Sequence, residues 1–153
     1  MDIILWRHAE AEDIRAGISD HERKLTAKGK KQAQKMADWL TPLLPQDTRI
    51  IASPAMRAVQ TAEALKRKFE INEHISPSAS LSDHLAAARW PTDGTVLLAG
   101  HQPMLGQLAA LLMSGHPQAW EIRKGAVWWL RSAPEGSHLH ATLRAAMLPA
   151  LLE

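Results

Sequence analysis

The sequence predicts an α/β protein, a three-layer α/β/α arrangement around a mostly parallel, mixed sheet. Three observations predict it. First, Ile3-Ile4-Leu5-Trp6, Arg49-Ile50-Ile51-Ala52 and Thr95-Val96-Leu97-Leu98-Ala99 are short, mainly apolar runs of the kind that strands buried on both faces require. Second, each run is followed, after a loop, by apolar residues at helical spacing, the alternation that builds a parallel sheet covered on both sides. Third, residues 125–130 and 139–143 flank a turn-rich stretch at 132–137, which reads as an antiparallel hairpin at the sheet edge. With 153 residues, 46% of them hydrophobic, the chain has the size of one domain with one core, so residues 1–153 are expected to form a single domain.

In chain order, the first strand gives way to a polar loop at 11–24 that carries Gly17 and borders the strand end. A helix starts near Thr26, a good cap, with Ala33, Met36, Ala37, Leu40 and Leu44 at helical spacing and Pro42 and Pro45 marking its end. Its other face is basic (Lys28, Lys31, Lys35) and extends the charge of Arg15, Arg23 and Lys24. The plainer reading is a solvated face, and the other is a docking surface for an acidic partner. After the second strand, Pro54 suits a first helical turn, and a stripe of Ala55, Ala58, Val59, Ala62, Leu65 and Phe69 predicts a helix to about Phe69 with Arg57 beside the stripe. Residues 70–94 are less periodic and hold one short helix over 81–89, too little for a separate cap domain. The third strand precedes a helix over 104–113 with Leu105, Leu108, Ala109 and Leu112 on one side. In the hairpin, Trp128 and Trp129 point to opposite faces, one core and one surface.

Composition excludes several chemistries. The chain has no cysteine, which removes disulfides, thiolate nucleophiles and thiolate zinc sites. A net charge of +2 suits anionic ligands mildly and falls short of a nucleic-acid-binding composition. No stretch approaches the ~20 apolar residues of a membrane span, so a cytoplasmic protein without nucleic-acid or membrane partners is expected.

The strands carry their chemistry at their ends. Arg7-His8, Arg57 and His101 lie just beyond three strands, where open α/β sheets place ligands. Arginine offers a planar fork of donors for phosphate oxygens, and neutral imidazole a lone pair that attacks phosphorus. Any one of these residues alone reads as structural. Four together have no packing rationale, because each adds its desolvation cost at one place.

Leu5-Trp6-Arg7-His8-Ala9-Glu10-Ala11-Glu12, Leu25-Thr26-Ala27-Lys28-Gly29, Ser53-Pro54-Ala55-Met56-Arg57-Ala58-Val59-Gln60-Thr61-Ala62 and Gly100-His101-Gln102-Pro103 resemble the histidine phosphatase superfamily. The short chain looks like its compact SixA-type phosphohistidine phosphatases. Most larger members carry Arg-His-Gly, where this chain keeps a small residue, Ala9. The resemblance implies that His8 is the nucleophile and is transiently phosphorylated, that Arg7, Arg57 and His101 are catalytic and bind the phosphoryl oxygens, and that no cofactor or metal is needed. It also implies a phosphate-like anion in the pocket and a phosphohistidine-containing phosphotransfer protein as partner. Arg23 sits as in such relatives and is a further substrate-binding candidate; Lys124 and Gly125 open the fifth strand near the same rim.

Superfamily members acting on esters carry a carboxylic acid that protonates the leaving group, and here only Glu10, Glu12 and Asp83 offer themselves, each also readable as a loop or capping carboxylate. Ser53 lacks the context of a hydrolase nucleophile, and His21, His74, His84, His116, His138 and His140 show no ligand spacing. Three other functions stay open: a small-molecule phosphomonoesterase or mutase, a metal-dependent phosphatase using His8, Glu10, Glu12 and His101, and a non-catalytic phosphate-binding module.

Overall fold

In the computed structural model, which describes residues 1–92, 94–138 and 140–153, ten regular elements follow one another. They are β1 (Asp2–Arg7), α1 (Ala27–Leu40), β2 (Arg49–Ala52), α2 (Met56–Glu63), β3 (Glu70–Ile71), α3 (Leu81–Ala88), β4 (Thr95–Gly100), α4 (Met104–Ser114), β5 (Val127–Ser132) and β6 (Ala141–Met147). The sheet order is β3-β2-β4-β1-β5-β6. The first four strands of that order run parallel, and β5 and β6 pair antiparallel, so the sheet is mixed as expected.

The alternation of side chains along each strand sorts the core into two layers. Ile4 and Trp6 of β1, Ile50 of β2 and Leu97 of β4 face α1 and α2, packing on Ala33, Met36, Leu40 and Ala62. Ile3 and Leu5, Ile51, Val96 and Leu98 face α3 and α4, packing on Ala87, Leu105, Leu108 and Leu112. Trp129 joins the first layer and Trp128 lies half-buried in the second beside Trp120, so the tryptophan pair divides between the faces. Because β1 connects to α1 on one side and β4 to α4 on the other, the chain leaves these adjacent strands in opposite directions. That divergence opens a crevice at their carboxyl ends.

Local chemistry accounts for the helix ends. Thr26 caps α1 through its hydroxyl, which accepts from the Gly29 N–H at 3.0 Å. Ser80 and Asp83 form a reciprocal capping box on α3. Gly29 is required for a second reason: a Cβ there would overlap the carbonyl of Glu10, on the segment that follows His8. Gly29→Ala is therefore expected to cost about 2 kcal/mol, because backbone rather than a flexible side chain must give way. The urea midpoint at constant m-value measures it.

Three expectations need correction. The second helix starts at Met56, with Ala55 as cap and Pro54 outside it, and stops at Glu63 rather than near Phe69. Lys66 adopts a left-handed backbone (φ 54°), and Arg67 donates to the carbonyls of Pro45 and Leu44, tying the chain down. Leu65 and Phe69 still reach the core, but through this turn, and β3 adds an unexpected edge strand. Lys124 and Gly125 do not open the fifth strand, which begins at Val127; they form the turn before it, with Gly125 at φ 75°. The last strand runs on to Met147, and Leu139, where it was expected to begin, lies outside the described residues. Pro149 then ends the extended chain in a 3-10 turn over Pro149–Leu151, of which Pro149 alone is buried.

Candidate active site

The three central parallel strands end in register. Arg7 pairs with Gly100 and Ala52 with Ala99, so His8, Ser53 and His101 are the next residues along one edge of the sheet. His8 is 6% exposed and His101 5%, and their ring centroids lie 5.3 Å apart with the planes tilted by 54°. The His8 backbone is pinned on both sides: its N–H donates to the Gly100 carbonyl, and the Gly125 N–H donates to the carbonyls of both Arg7 and His8.

One ring nitrogen of His8, Nδ1, lies 2.8 Å from the Ala9 carbonyl. A carbonyl only accepts, so Nδ1 carries the proton and Nε2 keeps the lone pair. Ala9 is itself fixed, its N–H donating to the Thr61 hydroxyl, which in turn donates to the Arg57 carbonyl. Burial, reinforced by the charges of Arg57, Arg7 and Arg23, pushes the His8 imidazole down to about 4. It is therefore neutral at pH 7. Burial also pushes His101 down, to about 2, with His8 and Arg57 adding to the effect.

These depressed values set a pH dependence for folding. Between about 4 and the ordinary 6.5 of an unfolded histidine, the unfolded chain binds the proton and the folded one does not. Stability is thus full above pH 6.5 and lost as pH falls toward 4. For His8 alone the loss by pH 5 is about 2 kcal/mol. Urea midpoints at pH 7.5 and 5.0 are expected to show this fall, and His8→Ala to show less of it.

Arg57 stands second in α2 and is 4% exposed. Its Nη1 donates to the Asp20 carbonyl (2.9 Å) and its Nη2 to Asp20 Oδ2 (3.0 Å). Arg23 reaches the same residue, donating from Nη1 to Asp20 Oδ1 (2.8 Å), and its Nε donates to the Glu12 carbonyl (2.7 Å). Arg23, then Arg57, holds the Asp20 carboxyl below the usual carboxylate range. Arg7 donates from Nη1 to the Ile122 carbonyl at 3.0 Å. Among the described residues, three buried side-chain polar atoms have no partner: Nε of Arg7, Nε of Arg57 and Nδ1 of His101. All three belong to the quartet singled out by sequence. Buried donors left unmade are costly, and three in one place suit a ligand with several acceptor oxygens.

Ser53, which the sequence does not support as a nucleophile, supports His101 instead. Its Oγ accepts the Ala55 N–H and lies 2.7 Å from His101 Nε2. Ser53 is fully buried and, among the described residues, its hydroxyl proton has no other acceptor, so it donates to Nε2, which puts the proton of neutral His101 on Nδ1, the unpartnered atom. Ser53→Ala is expected to lower kcat/KM about tenfold by releasing this tautomer, the equivalent of one hydrogen bond.

The candidate acids are engaged elsewhere. Glu10 Oε2 accepts from the Thr26 hydroxyl (2.7 Å), Glu12 accepts from the Lys24 N–H and pairs with Arg15, and Asp83 caps α3. Among the described residues no group of three or more His, Cys, Asp or Glu side chains is arranged to hold a metal ion, so His8, Glu10, Glu12 and His101 do not form the cluster that a metal site needs.

With this geometry in view, the chain belongs to the histidine phosphatase superfamily (branch 1), whose model matches residues 3–84; that span holds Arg7, His8 and Arg57, while His101 lies beyond it. Within the superfamily it is of the SixA type. It is 35% identical over 128 residues to the phosphohistidine phosphatase SixA homolog of Haemophilus influenzae, covering 73% of this chain and 77% of that protein. Phosphohistidine phosphatase SixA of Escherichia coli is 31% identical over 124 residues, covering 75% of this chain and 76% of that one. Among solved structures, the protein histidine phosphatase SixA complexed with tungstate superposes with a TM-score of 0.80 at 25% identity, covering 100% of both chains.

Proposed function

We propose that this protein is a metal-independent phosphatase that removes the phosphoryl group from phosphohistidine on a partner protein, through a phosphohistidine formed on His8. The observation that carries the reading is the ring of unpartnered buried donors on Arg7, Arg57 and His101 around a neutral imidazole whose Nε2 is free. Nε2 attacks phosphorus while the phosphorus–nitrogen bond of the substrate breaks. A substrate imidazole protonated on its other nitrogen leaves as neutral imidazole, whose conjugate acid has a pKa of about 6.5. Arg7 and Arg57 neutralise the charge on the equatorial oxygens, and neutral His101 donates its Nδ1–H to one of them. Water then attacks the phosphoryl group, His8 leaves as neutral imidazole because Nδ1 already holds its proton, and the water proton passes to the phosphate released.

Neither departure calls for a carboxylic acid, which fits the engagement of Glu10, Glu12 and Asp83 elsewhere. A phosphate ester would have to expel an alkoxide without help. The names and the tungstate complex of the SixA relatives point the same way. The test is phosphate release from a histidine-phosphorylated phosphotransfer domain in excess EDTA, beside release from small phosphate esters. The reading expects turnover that survives the chelator and a far higher kcat/KM for the protein substrate; loss to EDTA, or higher efficiency on esters, would overturn it.

A further inference from the structure

A groove of about 510 Å³ runs from Arg7, across the start of α1, to the turn at Pro149–Leu151. It continues along α1 as a second hollow of about 290 Å³ that shares Lys28, Gln32, Pro149 and Ala150. Lys28, Arg123 and Lys124 line the first part, and Lys28, Lys31 and Lys35 the second. All five are exposed, and among the described residues none makes an ion pair. Among the described residues that line the groove, two are carboxylates: Glu10, held by the Thr26 hydroxyl, and Glu121, which acts on Arg7. The two arginines of the preceding loop behave differently. Arg15 pairs with Glu12 and Arg23 with Asp20.

Unpaired like charges crowded within a Debye length of about 8–10 Å repel one another and do not stabilise the free protein. A small substrate confined to the phosphoryl pocket would leave the groove unused. Its wall is continuous with the active site through Arg7, and its charge is complementary to an acidic surface. We propose that this groove docks the acidic face of the phosphorylated partner protein and so presents that partner's phosphohistidine to His8. The inference rests on the phosphohistidine reading of the site.

The test is the triple variant Lys28→Glu, Lys31→Glu, Lys35→Glu. Glutamate matches lysine in helix propensity and, at Lys28, suits the first turn of α1, so the fold is expected to be preserved. Two substrates are compared: a histidine-phosphorylated phosphotransfer domain of acidic surface, and monophosphoimidazole. For the protein substrate, kcat/KM is expected to fall about tenfold or more, mainly through KM, and wild-type kcat/KM to fall with added salt. Turnover of monophosphoimidazole is expected to stay within about twofold. Arg123→Glu, on the opposite wall, should repeat the pattern. Equal losses on both substrates, no loss on either, or wild-type turnover of monophosphoimidazole alone would each overturn the docking role. Wild-type protein inert toward both would overturn the phosphohistidine reading itself, and the docking with it.

Discussion

His8→Ala is expected to lower turnover by about 10⁴-fold or more, because no other group on this edge of the sheet can form the covalent intermediate. The neutral state of His8, pushed down to about 4 by burial and the neighbouring arginines, keeps the lone pair available throughout the physiological range. The Ala9 carbonyl decides which nitrogen holds it. The variant should still bind tungstate or phosphate within a few-fold of wild type, since Arg7, Arg57 and His101 keep their places. Single-turnover phosphate release together with anion titration checks both halves. Loss of binding along with turnover would point to a collapsed site rather than a missing nucleophile.

Arg57→Ala should cost about 10²–10³-fold in kcat, the usual result of removing a preorganised donor from a buried charge-developing site. Here the fork is committed on one side to Asp20, and its Nε is unpartnered. Arg57→Lys keeps the charge but carries its donors on one nitrogen, which cannot span Asp20 and the phosphoryl group as the planar fork does, so it should recover less than a tenth of the lost activity. Steady-state kinetics on the phosphohistidine substrate gives both numbers. Full rescue by lysine would mean that the site uses only the charge of Arg57 and not its geometry.

The fold and the quartet were legible in the sequence for one reason: a strand buried on both faces is an apolar run, and its abrupt end marks the sheet edge. Arg7, His8 and His101 stand directly at such ends, and Arg57 one helical turn beyond another. Residues that support them were not legible, because their roles depend on contacts between distant segments. Asp20 lies in a polar loop and meets Arg57 across 37 positions, and Thr61 reaches Ala9 across 52. The part of Ser53 carries no local signal, because its place beside His101 is set by strand register. The early end of α2 escaped the periodic stripe because Leu65 and Phe69 reach the core in either conformation, and only the backbone at Lys66 separates the two. For Gly125 the signal was present, a glycine at a positive φ, but its task of holding the carbonyls of Arg7 and His8 is a tertiary one.

Rapid quench in alkali tests most directly whether the phosphoryl group passes through His8, since phosphohistidine survives base and is lost in acid. Mixed with a ³²P-labelled histidine-phosphorylated phosphotransfer domain, the wild-type protein should carry label on His8 within the first turnover and pass it to inorganic phosphate in a chase, and His8→Ala should carry none. Phosphate released at the full rate with no label on the phosphatase at any time, or label carried by His8→Ala, would contradict passage through His8.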